Sequence, residues 1–168
     1  MKKVFLILAV CLMSALTANA QSVGYVDTEK ILSCIQQYLD AQNELNSLAE
    51  KYKAEIQKDA DDIDALYRDY MSKKSSLSAA SQQAKENEII AKEKAMKEKE
   101  DSYFGEKGIL TKRSEKLISP IQDVVEEAIQ KVAASRGCSV VLDLTVTTGI
   151  VYKDPKYDLT NAVIDYLR

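Results

Sequence analysis

Residues 31–71 read ILSCIQQYLDAQNELNSLAEKYKAEIQKDADDIDALYRDYM, and at seven-residue spacing they give Ile31, Tyr38, Leu45, Tyr52, Asp59 and Leu66. A companion row, Ile35, Gln42, Ala49, Ile56, Ile63 and Tyr70, is offset by three or four residues, so both rows fall on one helical face. This is an a/d heptad seam with polar breaks at Gln42 and Asp59, set among Lys, Glu, Asp, Gln and Ser. Such a helix has a narrow apolar stripe and nothing of its own to bury it against. It needs a partner.

Residues 79–134 supply one. Ile89, Met96, Tyr103, Leu110, Leu117 and Val124 repeat every seven residues as a sparser seam. Between the halves stands Ser72-Lys73-Lys74-Ser75-Ser76-Leu77-Ser78, whose serines favour caps and turns over helix interiors. The pattern predicts an antiparallel helical hairpin with its tip at 72–78. An arm of about 36 residues reaches roughly 54 Å at 1.5 Å per residue. So long an arm with so thin a seam is a projection from a body rather than a compact domain.

The first twenty residues stand apart. Lys2 and Lys3 precede an apolar stretch at 4–16, and Ala18-Asn19-Ala20 is an A-x-A cleavage site, the pattern of a secretory signal peptide. The apolar stretch is too short for a membrane span, and Cys11 lies inside it, too early for lipoprotein cleavage. Export to an oxidising compartment, most simply a bacterial periplasm, is expected. Without Lys2 and Lys3 the chain keeps 21 basic residues against 26 acidic, a net charge of about −5, which disfavours nucleic acid as a partner. The charge is uneven: residues 40–71 are predominantly acidic and 72–113 mildly basic. Attraction between the arms across a solvated exterior is one consequence, and steering of a charged client is the alternative. Cys34 and Cys138 remain after cleavage, and the compartment permits either a bridge or two buried free thiols.

The ends of the chain build the body. Residues 22–26 alternate as a short strand, and Asp27 or Thr28 caps a helix entering at Glu29. In the descending arm Gly105 and Gly108 mark a hinge, or are tolerated within a continuous helix at about 1 kcal/mol each. Ser119-Pro120-Ile121-Gln122 reads as a helix restart, with a kink in a continuous helix as the rival. Gly137 closes that helix. Residues 138–144 are an apolar strand, 147–149 a turn, and Ile150-Val151-Tyr152 a return strand. Asp158 caps a last helix at 159–167. The expected division is a signal peptide at 1–20, a body of 21–40 with 118–168, and a hairpin of 41–117. Three short strands leave edges exposed and a modest core, which argues for oligomerisation.

No constellation of catalytic residues emerges. The chain has no His, which removes His-based nucleophile activation and the commonest metal ligand. Two cysteines without CxxC spacing make no zinc site. Asp59-Ala60-Asp61-Asp62-Ile63-Asp64 lacks the turn glycine and distal glutamate of a calcium loop. The five glycines show no phosphate-cradling pattern. No enzymatic activity, metal or cofactor is expected. What stands out is aromatic and apolar content on thin arms. Tyr38 and Tyr52 read as hairpin core. Tyr67, Tyr70, Met71, Met96, Tyr103 and Phe104 are the candidates for gripping a client.

The two ends also carry a family signature. Gly24-Tyr25-Val26-Asp27-Thr28-Glu29-Lys30-Ile31-Leu32, then Val140-Val141-Leu142-Asp143, Val151-Tyr152 and Asp154-Pro155-Lys156-Tyr157-Asp158-Leu159-Thr160, resemble the Skp (OmpH-like) periplasmic chaperones. The resemblance covers the layout of the whole mature chain, while the arms match only in character. It implies a mainly α chain with a small β body, its long antiparallel helical hairpin (tentacle) projecting from a small α+β oligomerisation body. It also implies a homotrimer whose hairpins enclose a cavity, acting as an ATP-independent holdase for unfolded outer-membrane proteins. The trimer body is then expected to use Val23, Tyr25, Val26, Val140, Val141, Leu142, Leu144, Ile150, Val151 and Tyr152. Membrane-surface or lipopolysaccharide contact, a further partner class of such proteins, carries over to no particular residue. Family members often have a proline after the first helical turns; Gln36-Gln37-Tyr38 stands there instead, so no kink is expected. The competing reading is a structural coiled-coil spacer or adaptor protein of the cell envelope.

Overall fold

A computed structural model describes residues 22–168. The expected signal peptide at 1–20, Cys11 included, lies outside the described residues. The fold is mainly α-helical with a small two-stranded sheet. It divides into two units, residues 22–34 with 125–168, and Ile35–Val124. The sequence placed these divisions at 40/41 and 117/118.

The first unit is the body. It contains β1 (Ser22–Val26), α1 (Thr28–Ser33), the end of α4 (Ile109–Ser135), β2 (Cys138–Asp143) and α5 (Thr160–Tyr166). The strands run parallel, with Val23 opposite Val140 and Tyr25 opposite Leu142. Parallel neighbours require a crossover connection, and here all of α1 to α4 intervenes in the chain. Asp27 caps α1 by accepting the Lys30 N–H at 2.9 Å. Val26, Ile31, Val125, Ala128, Val132, Leu159, Val163 and Ile164 are buried and form the core. Gly24 lies close to its neighbours: a Cβ there would sit 2.8 Å from Leu159 Cδ1 and 3.2 Å from Cys138 Sγ, so the Leu159 side chain would have to shift. Gly137, with φ +67°, takes the left-handed conformation that ends α4.

The expected strand at Ile150–Tyr152 does not form. The Thr147 N–H closes a turn on the Asp143 carbonyl, and residues 147–154 have no regular structure. A run of three apolar residues is at the short limit for a strand, and it leaves the outer edge of β2 unpaired. The second edge of β1 is occupied: the Leu159 N–H donates to the Tyr25 carbonyl at 2.9 Å, and the Asp27 N–H to Thr160 Oγ1 at 3.0 Å. Val151 is left 100% exposed and Tyr152 80%. Both cysteines are free thiols, and neither is buried: Cys34 is exposed and Cys138 half-buried.

The second unit is the antiparallel hairpin. α2 (Gln36–Lys73) leads to a 3-10 turn (Lys74–Ser76), and α3 (Ala79–Phe104) and the first part of α4 return. The tip lies where the serines placed it. Ser78 caps α3 by accepting the Ser81 N–H, and the Gln82 side-chain amide donates to the Lys74 and Leu77 carbonyls. Three expectations are corrected. The helix does break before Gln36, without a proline: Ile35 is extended, and its carbonyl accepts the Tyr38 and Leu39 N–H groups to start α2 afresh. There is no restart at Ser119, because α4 runs through Pro120; the half-buried Leu117, Ile118 and Ile121 continue one face across it, and that packing outweighs one missing N–H. Val124 leaves the seam, 56% exposed, while Val125 is buried in the body.

Candidate functional site

The seam of the hairpin is only half-buried along most of its length. Leu45, Ala49, Tyr52, Ile56, Ile63 and Leu66 of α2 all retain partial exposure. Two of its members are fully enclosed, Tyr70 at 3% exposure and Ile89 at 7%. Two antiparallel helices offer each other one stripe each, so most side chains on the seam keep a wet flank. Polar clamps fill what apolar packing leaves open. Near the tip the Tyr70 hydroxyl donates to Glu86 Oε1 at 2.5 Å, and Lys74 Nζ sits 3.4 Å from the same oxygen and 5.2 Å from the Tyr70 ring centroid. That bond raises the Tyr70 pKa, with burial adding to it, and holds the Glu86 carboxyl below its usual range against the opposing effect of burial. In mid-arm Lys99 Nζ bonds Asp59 Oδ2 at 2.8 Å. Asp59 to Asp64 therefore lie within α2, with Ile63 turned into the seam and Asp59 paired.

An aromatic knot lies next to this pair. The Tyr52 and Tyr103 rings stack at 3.9 Å with planes 11° apart, and Phe104 stands edge-on to both, at 6.5 and 6.4 Å. The Tyr103 hydroxyl donates to Glu55 Oε2 at 2.7 Å, which raises its pKa, with burial adding to the effect. Of the six candidate client-gripping residues, the structure leaves Tyr67 and Met71 each 50% exposed and Phe104 37% exposed. Met96 is half-buried against a groove with Asp59, Ile63 and Lys92. Tyr70 and Tyr103 are occupied inside the hairpin. Ile90 and Ile109, not singled out from sequence, are 60% and 44% exposed. Their positions off the heptad rows were the available signal. The exposed residues are separate apolar points on charged helices rather than one deep pocket, an arrangement suited to many weak contacts with an extended chain.

In the body, the residues expected at a trimer interface fall into two groups. Tyr25 and Val26 are buried in the unit itself. Val23, Val140, Ile150, Val151 and Tyr152 are exposed, while Val141, Leu142 and Leu144 are intermediate. Between them an open hollow of about 280 Å³ is lined by Val23, Tyr25, Leu142, Ile150, Tyr152 and Tyr157. Among the described residues, β2 pairs with no strand on its outer edge. The sequence signatures at the two ends converge here. Thr28 Oγ1 donates to Asp143 Oδ2 at 2.7 Å, the Thr145 N–H to Asp143 Oδ1 at 3.0 Å, and the Thr160 N–H to Asp158 Oδ1 at 2.9 Å. Burial works to raise the Asp143 pKa, but the bonds from Thr145 and Thr28 outweigh it and hold the carboxyl below its usual range.

The segments brought together by this network are those a family comparison reads. The model of the outer membrane protein (OmpH-like) family matches residues 22–167. The chain belongs to that family. Among solved structures, the OmpH-like chain is similar to a protein from Caulobacter crescentus provisionally described as an outer membrane chaperone (OmpH-like). The two share 19% identity and a TM-score of 0.63 over 86% of this chain and 82% of the other. At that identity the likeness is one of fold. No curated protein sequence matches the chain. The family match takes in both the body and the hairpin, so the hairpin is part of the family's plan and not an insertion peculiar to this OmpH-like chain.

Proposed function

We propose that this chain is an ATP-independent holdase chaperone of the periplasm: a non-enzymatic homotrimer that holds unfolded outer-membrane proteins between its hairpins and prevents their aggregation. The observation that carries the reading is the set of exposed apolar and aromatic side chains on the hairpin, Tyr67, Met71, Ile90, Phe104 and Ile109, on helices that are otherwise charged. A closed coiled-coil spacer would bury such side chains. Family membership and the description given to the structural neighbour support a chaperone-type role. The trimer is supported by the exposed Val23, Val140, Ile150, Val151 and Tyr152 beside an open sheet edge, a surface a second copy of the body would cover. The periplasmic address rests on the signal-peptide pattern of residues 1–20.

Light scattering on the protein without residues 1–20, alone and with one unfolded outer-membrane β-barrel protein, tests this. A trimer that takes up a client and suppresses its aggregation on dilution from urea is expected. A monomer or dimer that leaves aggregation unchanged would overturn the reading and favour the spacer.

A further inference from the structure

The returning arm is interrupted once, between Phe104 and Ile109, while α2 opposite runs unbroken. At the interruption Tyr52 faces Tyr103 on the tip side and Glu44 faces Arg113 beyond it. The two helices of the returning arm are joined by a tight turn in which the Gly108 N–H donates to the Gly105 carbonyl at 2.8 Å. Side chains do not fit this turn: a Cβ on Gly105 would lie 2.4 Å from the Asp101 carbonyl oxygen, and one on Gly108 would lie 2.8 Å from two backbone oxygens.

A helical rod interrupted on one side bends most easily at the interruption, unless cross-arm contacts there resist it. The contacts at this junction are the stack of Tyr52 on Tyr103, the Tyr103 bond to Glu55, and Phe104 against both rings. On the other side Arg113 pairs with Glu44. We infer that the Tyr52–Tyr103 stack is a latch on a joint at Gly105–Gly108, and that opening it frees both tyrosine faces beside the exposed Phe104 and Ile109 as an additional client grip. The client part of this inference rests on the proposed function; the latch does not.

Removing the ring at Tyr52 abolishes the stack and the edge contact of Phe104 with it, while Lys99–Asp59 and Arg113–Glu44 survive. Amide hydrogen exchange read by mass spectrometry on the client-free protein tests it. In Tyr52→Ala, residues 104–112 are expected to exchange up to about tenfold faster, with residues 79–90 near the tip unchanged. Tyr52→Phe, which keeps the ring, should behave as wild type. Tyr52→Leu keeps apolar bulk without an aromatic face and should resemble Tyr52→Ala, which guards against a variant that merely misfolds. Unchanged exchange at 104–112, or an equal rise along the whole of 79–112, would overturn the latch. The same variants in the aggregation assay then test the grip. A working latch in a protein that holds no client would sink the proposed function and leave the joint standing.

Discussion

The body and the hairpin are built from similar side chains and are stabilised in different ways. In the body, short elements converge from both ends of the chain, and Val26, Ile31 and Val163 are 1%, 0% and 0% exposed. In the hairpin, ninety residues enclose few side chains, and much of the seam holds together through half-buried apolar contacts and cross-arm clamps. Dimensionality explains the difference. A residue among several converging elements can be surrounded, whereas a residue between two helices usually keeps one open flank. Local opening should therefore be cheap along the hairpin and expensive in the body.

The largest contrast should come from truncating one isoleucine in each region. Ile31→Ala in the body is expected to cost about 2–5 kcal/mol. Ile63→Ala on the half-buried hairpin seam should cost roughly 1 kcal/mol. Thermal unfolding of the two variants checks this, and equal losses would end the distinction drawn above. Next is Gly24→Ala, whose new methyl meets Leu159 and Cys138 at contact distances too short to hold; overpacking of this kind costs about 1–3 kcal/mol, read as a lower midpoint in urea.

Asp143→Asn sharpens the comparison through pH. The folded carboxyl titrates below its ordinary value of 3.8. Its contribution is therefore complete above that value and is lost as pH falls through the depressed folded one. The variant should lose roughly 1 kcal/mol at neutral pH and show a shallower fall in stability under acid than the parent. An acid limb of the same slope in both would remove Asp143 from the account. The smallest effect belongs to Val151→Ser. Its side chain is fully exposed in the isolated chain, so monomer stability should stay within about 0.5 kcal/mol. If this surface is covered in an assembly, sedimentation should show weaker association at the same time.

Much of this architecture is legible in the sequence because it is periodic or local. The heptad rows identify the arms, Ser72 to Ser78 place the tip, and Asp27, Ser78 and Gly137 end or begin helices through hydrogen bonds within a few residues of themselves. The candidate site is less legible. A heptad row places Tyr67 off the seam and Tyr70 on it, yet both read as tip aromatics, and it is the bond of the Tyr70 hydroxyl to Glu86 of the other arm that separates them. Tyr103 likewise reads as a free aromatic until Tyr52 covers it.

Helix type, hairpin, tip and the absence of His follow from the sequence alone, since each depends on short-range spacing or on composition. Only the tertiary structure decided that Ile150 to Tyr152 stay unpaired, that α4 continues through Pro120, and that Gly105 to Gly108 break the returning arm. Each turns on surroundings that spacing does not encode: an outer edge of β2 left open, an apolar face that outweighs one lost N–H, and a turn too tight for side chains. A chain's own periodicity carries no record of its neighbours, and those are what packing compares.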